Sequence, residues 1–343
     1  MYYIRLAVTW LLSRFGFRIS RIPPSLGTFE VLDEFVDSIG NRFERLKGYR
    51  DSIWPLDWKS MNDARAKPDV QTVKKMNTVT VGRDLVSKME KLLQIYNLTL
   101  VGKDVLDVGC FSGASTYALA EHGARYVEGI DVPKNFADLL YEQVNPHSIE
   151  EQSQYLKKLR EATAHFFEDT VTTKVCFYDL DVKNLIKKEA YDFIVSWSVL
   201  EHIIEPEKAF KSMYEALRSN GVCYHEYHPF FCVSGAHFDT LDFPWGHVRL
   251  SPRDFDRYIQ TYRPEENAIA KKRFYSSINR ITLSDLRLFS LSAGFEIIEL
   301  FEHGESWDAV DQNIFSQCKA LYPSLAVSDL ITSNVLIMLR KKP

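Results

Sequence analysis

The chain predicts an α/β fold, a doubly wound and mainly parallel sheet with helices on both faces. Two observations carry that prediction. From Lys103 onward, strand-length apolar runs alternate with helix-length amphipathic ones, the pattern of βαβ units. The first run, Val105-Leu106-Asp107-Val108, leads into the turn Gly109-Cys110-Phe111-Ser112-Gly113 and then a helical pattern from Ala114 to Glu121. A buried strand entering a glycine-bearing turn and a helix start is how such folds present backbone N–H groups to a ligand.

The elements follow in order. Residues 2–17 read as a first helix, ended by Pro23-Pro24, because proline cannot continue one. Residues 29–65 mix acids, bases and aromatics without clear period, so residues 1–84 are expected to form a helical or irregular N-terminal cap. Leu85, Met89, Leu92, Leu93 and Tyr96 fall at helical spacing. Strands are expected at 104–108, 126–131, 174–178, 191–197 and 222–227. Two helices, 136–143 and 150–167, fill the long connection after Asp131. A helix from Glu207 to Arg218 should stop at Asn220-Gly221, with Pro206 at its start. The cofactor-binding core is thus 85–222. Residues 223–281, rich in proline, aromatics, histidine and acids after Pro229, lack the alternation and are expected to be an inserted lid. Residues 282–343 return to the core with a helix to Ser292 and strands at 295–301 and 334–339.

Bulk properties bound the function. The 343 residues, 45% hydrophobic and 26% charged, suit a soluble globular protein. A net charge of −4 gives no electrostatic reason to expect nucleic acid as a partner. Five cysteines, Cys110, Cys176, Cys223, Cys232 and Cys318, contain no Cys-x-x-Cys pair, which argues for a reducing, cytoplasmic setting without a zinc or disulfide framework. No run reaches the length of about 20 apolar residues that spans a bilayer. Residues 2–17 carry Arg5, Thr9 and Ser13 on one helical stripe. Docking on the protein or on a second copy is favoured over peripheral contact with a membrane.

A second acid, Asp131, ends the apolar segment Tyr126-Val127-Glu128-Gly129-Ile130, about 20 residues past the glycine turn, where a carboxylate can accept both hydroxyls of a ribose. Asp107, Gly109, Gly113 and Asp131 together resemble the class I S-adenosylmethionine-dependent methyltransferases. The family's first motif usually reads Asp/Glu-x-Gly-x-Gly-x-Gly, and Phe111 here stands at the middle glycine. The resemblance covers residues 104–221 and a final strand pair. It implies a seven-stranded sheet with an antiparallel last strand, and S-adenosyl-L-methionine as cofactor. It further implies that Asp107, Gly109, Cys110 and Gly113 surround the methionine part and that Asp131 binds the ribose. An acid in Phe177-Tyr178-Asp179-Leu180-Asp181 would meet the adenine; Asp179 and Asp181 both qualify, with Asp179 placed best and Leu180 or Tyr178 packed on the base. Ser196 and Trp197, at the end of the fourth strand and before Leu200-Glu201-His202, would lie beside the sulfonium.

Transfer of an activated methyl group needs alignment, exclusion of water and, for a hydroxyl acceptor, a base. Histidine suits that role near neutral pH. His228, where the fifth strand leaves the sheet, is the first candidate for base or acceptor contact, and His247 in Asp242-Phe243-Pro244-Trp245-Gly246-His247 the second. Each also has a structural reading: His247, for one, would pair with Asp242. His225, Glu226 and His228 supply at most two local metal ligands, so no metal site is expected. The resulting expectation is methyl transfer to a small or medium polar acceptor, as in bacterial enzymes of surface-glycan or secondary-metabolite synthesis. A non-catalytic cofactor-binding regulator is the alternative that Phe111 favours. An NAD-dependent oxidoreductase would want Gly-x-Gly-x-x-Gly, which residues 109–113 do not supply.

Overall fold

The computed structural model describes residues 29–53, 68–133, 148–237 and 240–343. The expected helices at 2–17 and 136–143 lie outside the described residues. Strands β3 (Asp104–Val108), β4 (Tyr126–Asp131), β5 (Val175–Asp179), β6 (Tyr191–Trp197), β7 (Leu217–Tyr227), β8 (Phe295–Gly304) and β9 (Thr332–Lys341) form one sheet in the order β5-β4-β3-β6-β7-β9-β8. The first five are parallel, and β9 pairs antiparallel with both β7 and β8. The expected seven-stranded, mainly parallel sheet with an antiparallel last strand is therefore present.

Side-chain alternation explains the two faces. Val105, Phe193, Val195 and Tyr224 join one core with α1 (Val70–Met76), α2 (Thr78–Ile95), α3 (Ala114–Glu121) and α4 (Ile149–Ala164). Leu106, Ile194 and Cys223 join the opposite core with Phe210 and Met213 of α5 (Pro206–Ala216) and Leu286 of a later helix. Helix α4 starts on a capping box, in which Ser148 accepts from the Glu151 N–H and Glu151 accepts from the Ser148 N–H.

Two boundaries differ from expectation. Helix α5 ends at Ala216, and Asn220-Gly221 lies inside β7 rather than stopping the helix. Asn220 takes φ 64° where the pairing with β6 shifts register, so the left-handed signal marks a strand irregularity. Residues 223–227 complete β7, as the strand expected at 222–227 requires, so the insertion begins after Tyr227 rather than at 223.

The N-terminal region also differs. Its described part contains, beside the helices Tyr49–Ile53 and Val70–Met76, a hairpin of β1 (Val31–Val36) with β2 (Arg42–Leu46) that the sequence did not suggest. Both strands carry many exposed charged residues, which hides the period of two. The hairpin packs on the insertion, whose helices are α6 (Pro252–Tyr262) and α7 (Asn267–Ser276). Phe35, Phe43 and Tyr49 share a third core with Phe243, Trp245, Phe255 and Tyr258, and with Ile314 and Cys318 of a C-terminal helix. The Phe43 and Phe243 rings stack at 4.9 Å. Arg45 bridges Asp33 and Asp242, each at 3.0 Å, and Arg50 pairs with Glu266 at 3.1 Å. The C-terminal segment adds α8 (Leu283–Ser292), capped by Thr282 and Asp285, and α9 (Gln312–Leu321). All five cysteines are free thiols. Among the described residues, no helix is long and apolar enough to cross a membrane.

Candidate cofactor and active site

The strand order reverses direction at β3, which has β4 on one side and β6 on the other. Open parallel sheets bind ligands outside the carboxyl ends of their strands at this position. A cavity of about 530 Å³ opens there. Its walls come from the ends of β3 and β4 (Val108, Gly109, Ile130 and Asp131), the turn after β5 (Leu180 to Lys183) and the turn after β6 (Val199 and His202). The volume suits a small-molecule ligand.

The glycine turn is tightly built. Gly109 has φ 71°, and a Cβ there would stand 2.3 Å from Val199 Cγ2. Gly113, φ 78°, caps α3, and a Cβ would meet the Phe177 ring at 2.5 Å. Phe111 adopts φ 43°, the left-handed conformation that the family's middle glycine would take without strain. Its ring packs against the first core and is absent from the cavity wall. The Phe111 N–H donates to Asp131 Oδ2 at 2.7 Å, and the Phe111 carbonyl accepts from Arg160 Nε at 3.0 Å. Arg160, nearly buried on α4, also lies 3.7 Å from Asp179 and over the Phe177 ring. This arginine, remote in sequence, braces the loop, and sequence reasoning missed it.

Asp131 lines the cavity. Its Oδ1 accepts from the Val132 N–H at 2.7 Å, so each carboxylate oxygen holds one amide and keeps a lone pair. Burial raises its pKa above the ordinary carboxylate value, against the pull of the Phe111 amide and Arg160. Asp107 is turned away from the cavity. Its Oδ2 accepts from Ser115 Oγ at 2.7 Å and Thr116 Oγ1 at 2.8 Å, which couples β3 to the start of α3. Desolvation pushes its pKa up to about 7, with the two hydroxyls opposing. Cys110 is buried, and burial pushes its thiol well up.

Other sequence-predicted residues divide. Leu180 lines the cavity, and its N–H donates to Asp131 O at 2.9 Å. Asp179 is turned outward to Ser153 on α4, whereas Asp181 lines the cavity and caps the following 3₁₀ turn through the Lys183 N–H. Of the two acids left open by sequence, Asp181 is the one on the wall. Ser196 is fully buried and bonded to His225 Nδ1 at 2.7 Å. Trp197 packs on the first core, 6.0 Å from the Tyr224 ring. Neither reaches the cavity wall, because Ser198 at φ 57° turns the chain and brings Val199 and His202 there instead.

Neither candidate histidine is on the cavity wall, where His202 stands instead. His228 Nδ1 donates to Ser333 O at 2.9 Å, leaving Nε2 as an acceptor, and its N–H lies 3.4 Å from Glu201 Oε1. His247 sits fully buried with Nε2 on Phe230 O at 2.9 Å, and desolvation lowers its pKa to about 4. It is a neutral group of the third core, off the cavity wall. Asp242, its expected partner, is taken by Arg45 and Tyr258.

Fold and cavity define a Rossmann-like α/β protein with a small-molecule site at the carboxyl ends of its strands. The chain belongs to the methyltransferase domain family, whose model matches residues 81–300. It is 27% identical over 174 residues to the ubiquinone biosynthesis O-methyltransferase of Coxiella burnetii, covering 49% of this chain and 61% of the relative. It is 26% identical over 205 residues to a tRNA U34 carboxymethyltransferase of Campylobacter curvus, 59% of each chain. Among solved structures, a Mesorhizobium loti S-adenosylmethionine dependent methyltransferase is similar at a TM-score of 0.43 and 16% identity, covering 73% of this chain and 96% of that one. The chain thus spans about 60% of the length of the curated relatives it matches.

Two expected results follow from the two acids. Asp131→Ala leaves the Phe111 and Val132 amides without their acceptor. It weakens binding of S-adenosylhomocysteine by about 1–3 kcal/mol, the scale of lost charge-assisted hydrogen bonds. Calorimetric titration reads this, and unchanged affinity refutes the ribose assignment. For Asp107 the folded pKa, about 7, lies above the ordinary carboxylate value of 3.8. Its burial therefore costs nothing at low pH, where both states are protonated, and stability falls as pH rises from about 4 to 7. Asp107→Asn removes that dependence. Its stability relative to wild type should increase by up to about 4 kcal/mol between pH 4 and pH 8, at about 1.4 kcal/mol per pKa unit. Urea denaturation at the two pH values measures it; a constant difference contradicts the assignment.

Proposed function

We propose that the chain transfers a methyl group to an oxygen of a small or medium polar acceptor in the cytoplasm, a sugar, glycan or hydroxylated metabolite. The observation that carries this reading is the cavity formed by Gly109, Asp131, Leu180 and Val199 with His202 on its wall. The residues fit the cofactor. Gly109 presents bare backbone to the cavity, with Val199 packed where a Cβ would stand, and Asp131 offers a lone pair on each oxygen to a ribose diol. Bound there, S-adenosylmethionine supplies a methyl group already activated by its positive sulfur. The protein's own work is then positional. Gly109 and Gly113 let the backbone approach the cofactor, Cys110 fills the space behind them, and Asp131 fixes the ribose. Asp181 and Leu180 flank the adenine. Val199 and Ile203 keep water from the reacting face. Nε2 of His228 accepts the acceptor's proton.

The insertion between β7 and α8 shapes the acceptor side, since Ser276 of α7 reaches the cavity wall. The O-methyltransferase among the relatives supports an oxygen acceptor. The net charge of −4 weighs against tRNA. The test is a methyl-labelled cofactor incubated with the full chain and fractionated hydroxylated metabolites, glycans or tRNA. Label in a small-molecule or glycan fraction supports the reading, and label in tRNA alone overturns its acceptor class. Parallel titrations with S-adenosylhomocysteine and NAD test the cofactor.

A further inference from the structure

The turn after β6 brings together three groups that the cofactor site does not account for. Glu201, His202 and His237 each present a ligand atom, all within 4.8 Å of one another. Glu201 is fully buried, and its Oε2 has no hydrogen-bond partner. A buried, unpaired carboxylate oxygen costs several kcal/mol unless a proton or cation compensates it. His202 Nδ1 lies 2.6 Å from Ser277 O. A carbonyl only accepts, so Nδ1 carries the proton and Nε2 keeps its lone pair, the tautomer that a second-shell carbonyl sets for metal-binding histidines. The ring of His237 lies 5.5 Å from that of His202, on a residue held at φ 52°.

The turn itself is clamped. Asn279 N donates to Glu201 O at 2.7 Å, and its side-chain amide donates to Leu200 O at 2.6 Å and Ile203 O at 2.9 Å. Two ligand atoms of a tetrahedral zinc ion stand about 3.4 Å apart, so closing the triad from within 4.8 Å takes rotamer shifts of about 1 Å.

We propose that Glu201, His202 and His237 form a binding site for one divalent transition-metal ion beside the cofactor cavity. Two imidazoles and one carboxylate suit zinc, cobalt or manganese, whereas magnesium and calcium prefer oxygen donors throughout. Three protein ligands leave a fourth position open, as in catalytic rather than structural sites. His202 belongs to both the triad and the cavity wall, so the cation stands next to the cofactor. His228, 6.4 Å from the His237 ring, stands beside it. Resting on the oxygen-acceptor reading, the open position takes an acceptor oxygen and makes its proton easier to remove.

The test uses the full chain, without an affinity tag and stripped with chelator, titrated with Co²⁺ and followed by its visible absorption. The expected result is one equivalent bound per chain. Affinity should fall about 100-fold or more in His237→Ala and in Glu201→Gln, the second of which keeps the side-chain shape. S-adenosylhomocysteine affinity is measured on the same samples as a check on the fold. A wild-type chain that binds S-adenosylhomocysteine but takes up no stoichiometric Co²⁺ overturns the metal site. So does uptake unchanged in both variants. Variant-sensitive Co²⁺ uptake without S-adenosylhomocysteine binding upholds the metal site and overturns the methyl-transfer reading instead.

Discussion

Gly109→Val abolishes cofactor binding while the sheet remains folded. Two costs coincide at this position. The backbone sits at φ 71°, where a β-branched residue is strained, and a Cβ would stand 2.3 Å from the Val199 side chain. Val199 lines the same cavity, so relief of the clash pushes either the glycine turn or the turn after β6 into the space the ligand needs. Affinity for S-adenosylhomocysteine should drop beyond about 100-fold, the equivalent of about 2.7 kcal/mol. Circular dichroism checks that the fold persists. Retained binding moves the cofactor away from this turn.

His228→Ala has the second large effect. Turnover falls by roughly 10²–10⁴, the usual contribution of a positioned general base, while cofactor affinity is unchanged. The imidazole is pre-set for the role, because Ser333 O holds the Nδ1 proton and leaves Nε2 to accept. A rate unaffected by the substitution takes proton removal away from His228. His247 is no longer a competitor. Its ring is enclosed by the third core and bonded to Phe230 O, so His247→Ala would act through packing.

The central sheet was readable from sequence because parallel strands buried on both faces leave short, continuous apolar runs. The hairpin at 31–46 escaped, since its strands carry Asp33, Glu34, Arg42, Glu44 and Arg45 and owe their place to contacts with the distant insertion. Gly109, Asp131 and Leu180 were legible because a glycine turn and a strand-ending acid bind locally. Asp181 displaced Asp179 because the chain turns one step later than spacing alone suggests, with Asp179 drawn to Ser153 on α4. Ser196 and Trp197 gave way to Val199 and His202 through a single left-handed residue, Ser198, for which the sequence carries no glycine signal. The metal triad depends on His237, 35 positions beyond His202 and delivered by the insertion's own fold, which no local spacing rule reaches.

The third core draws on residues 35–49, 230–278 and 314–330, cross-tied by Arg45 with Asp242 and Arg50 with Glu266. The insertion is therefore not a flap hinged at two ends. It is a block bolted at three places along the chain, and substrate exchange has to work either through a fixed doorway or by shifting the block as a whole. Lengthening a surface loop of the insertion would then leave turnover untouched, while loosening the Arg45 bolt would be felt at the far side of the molecule.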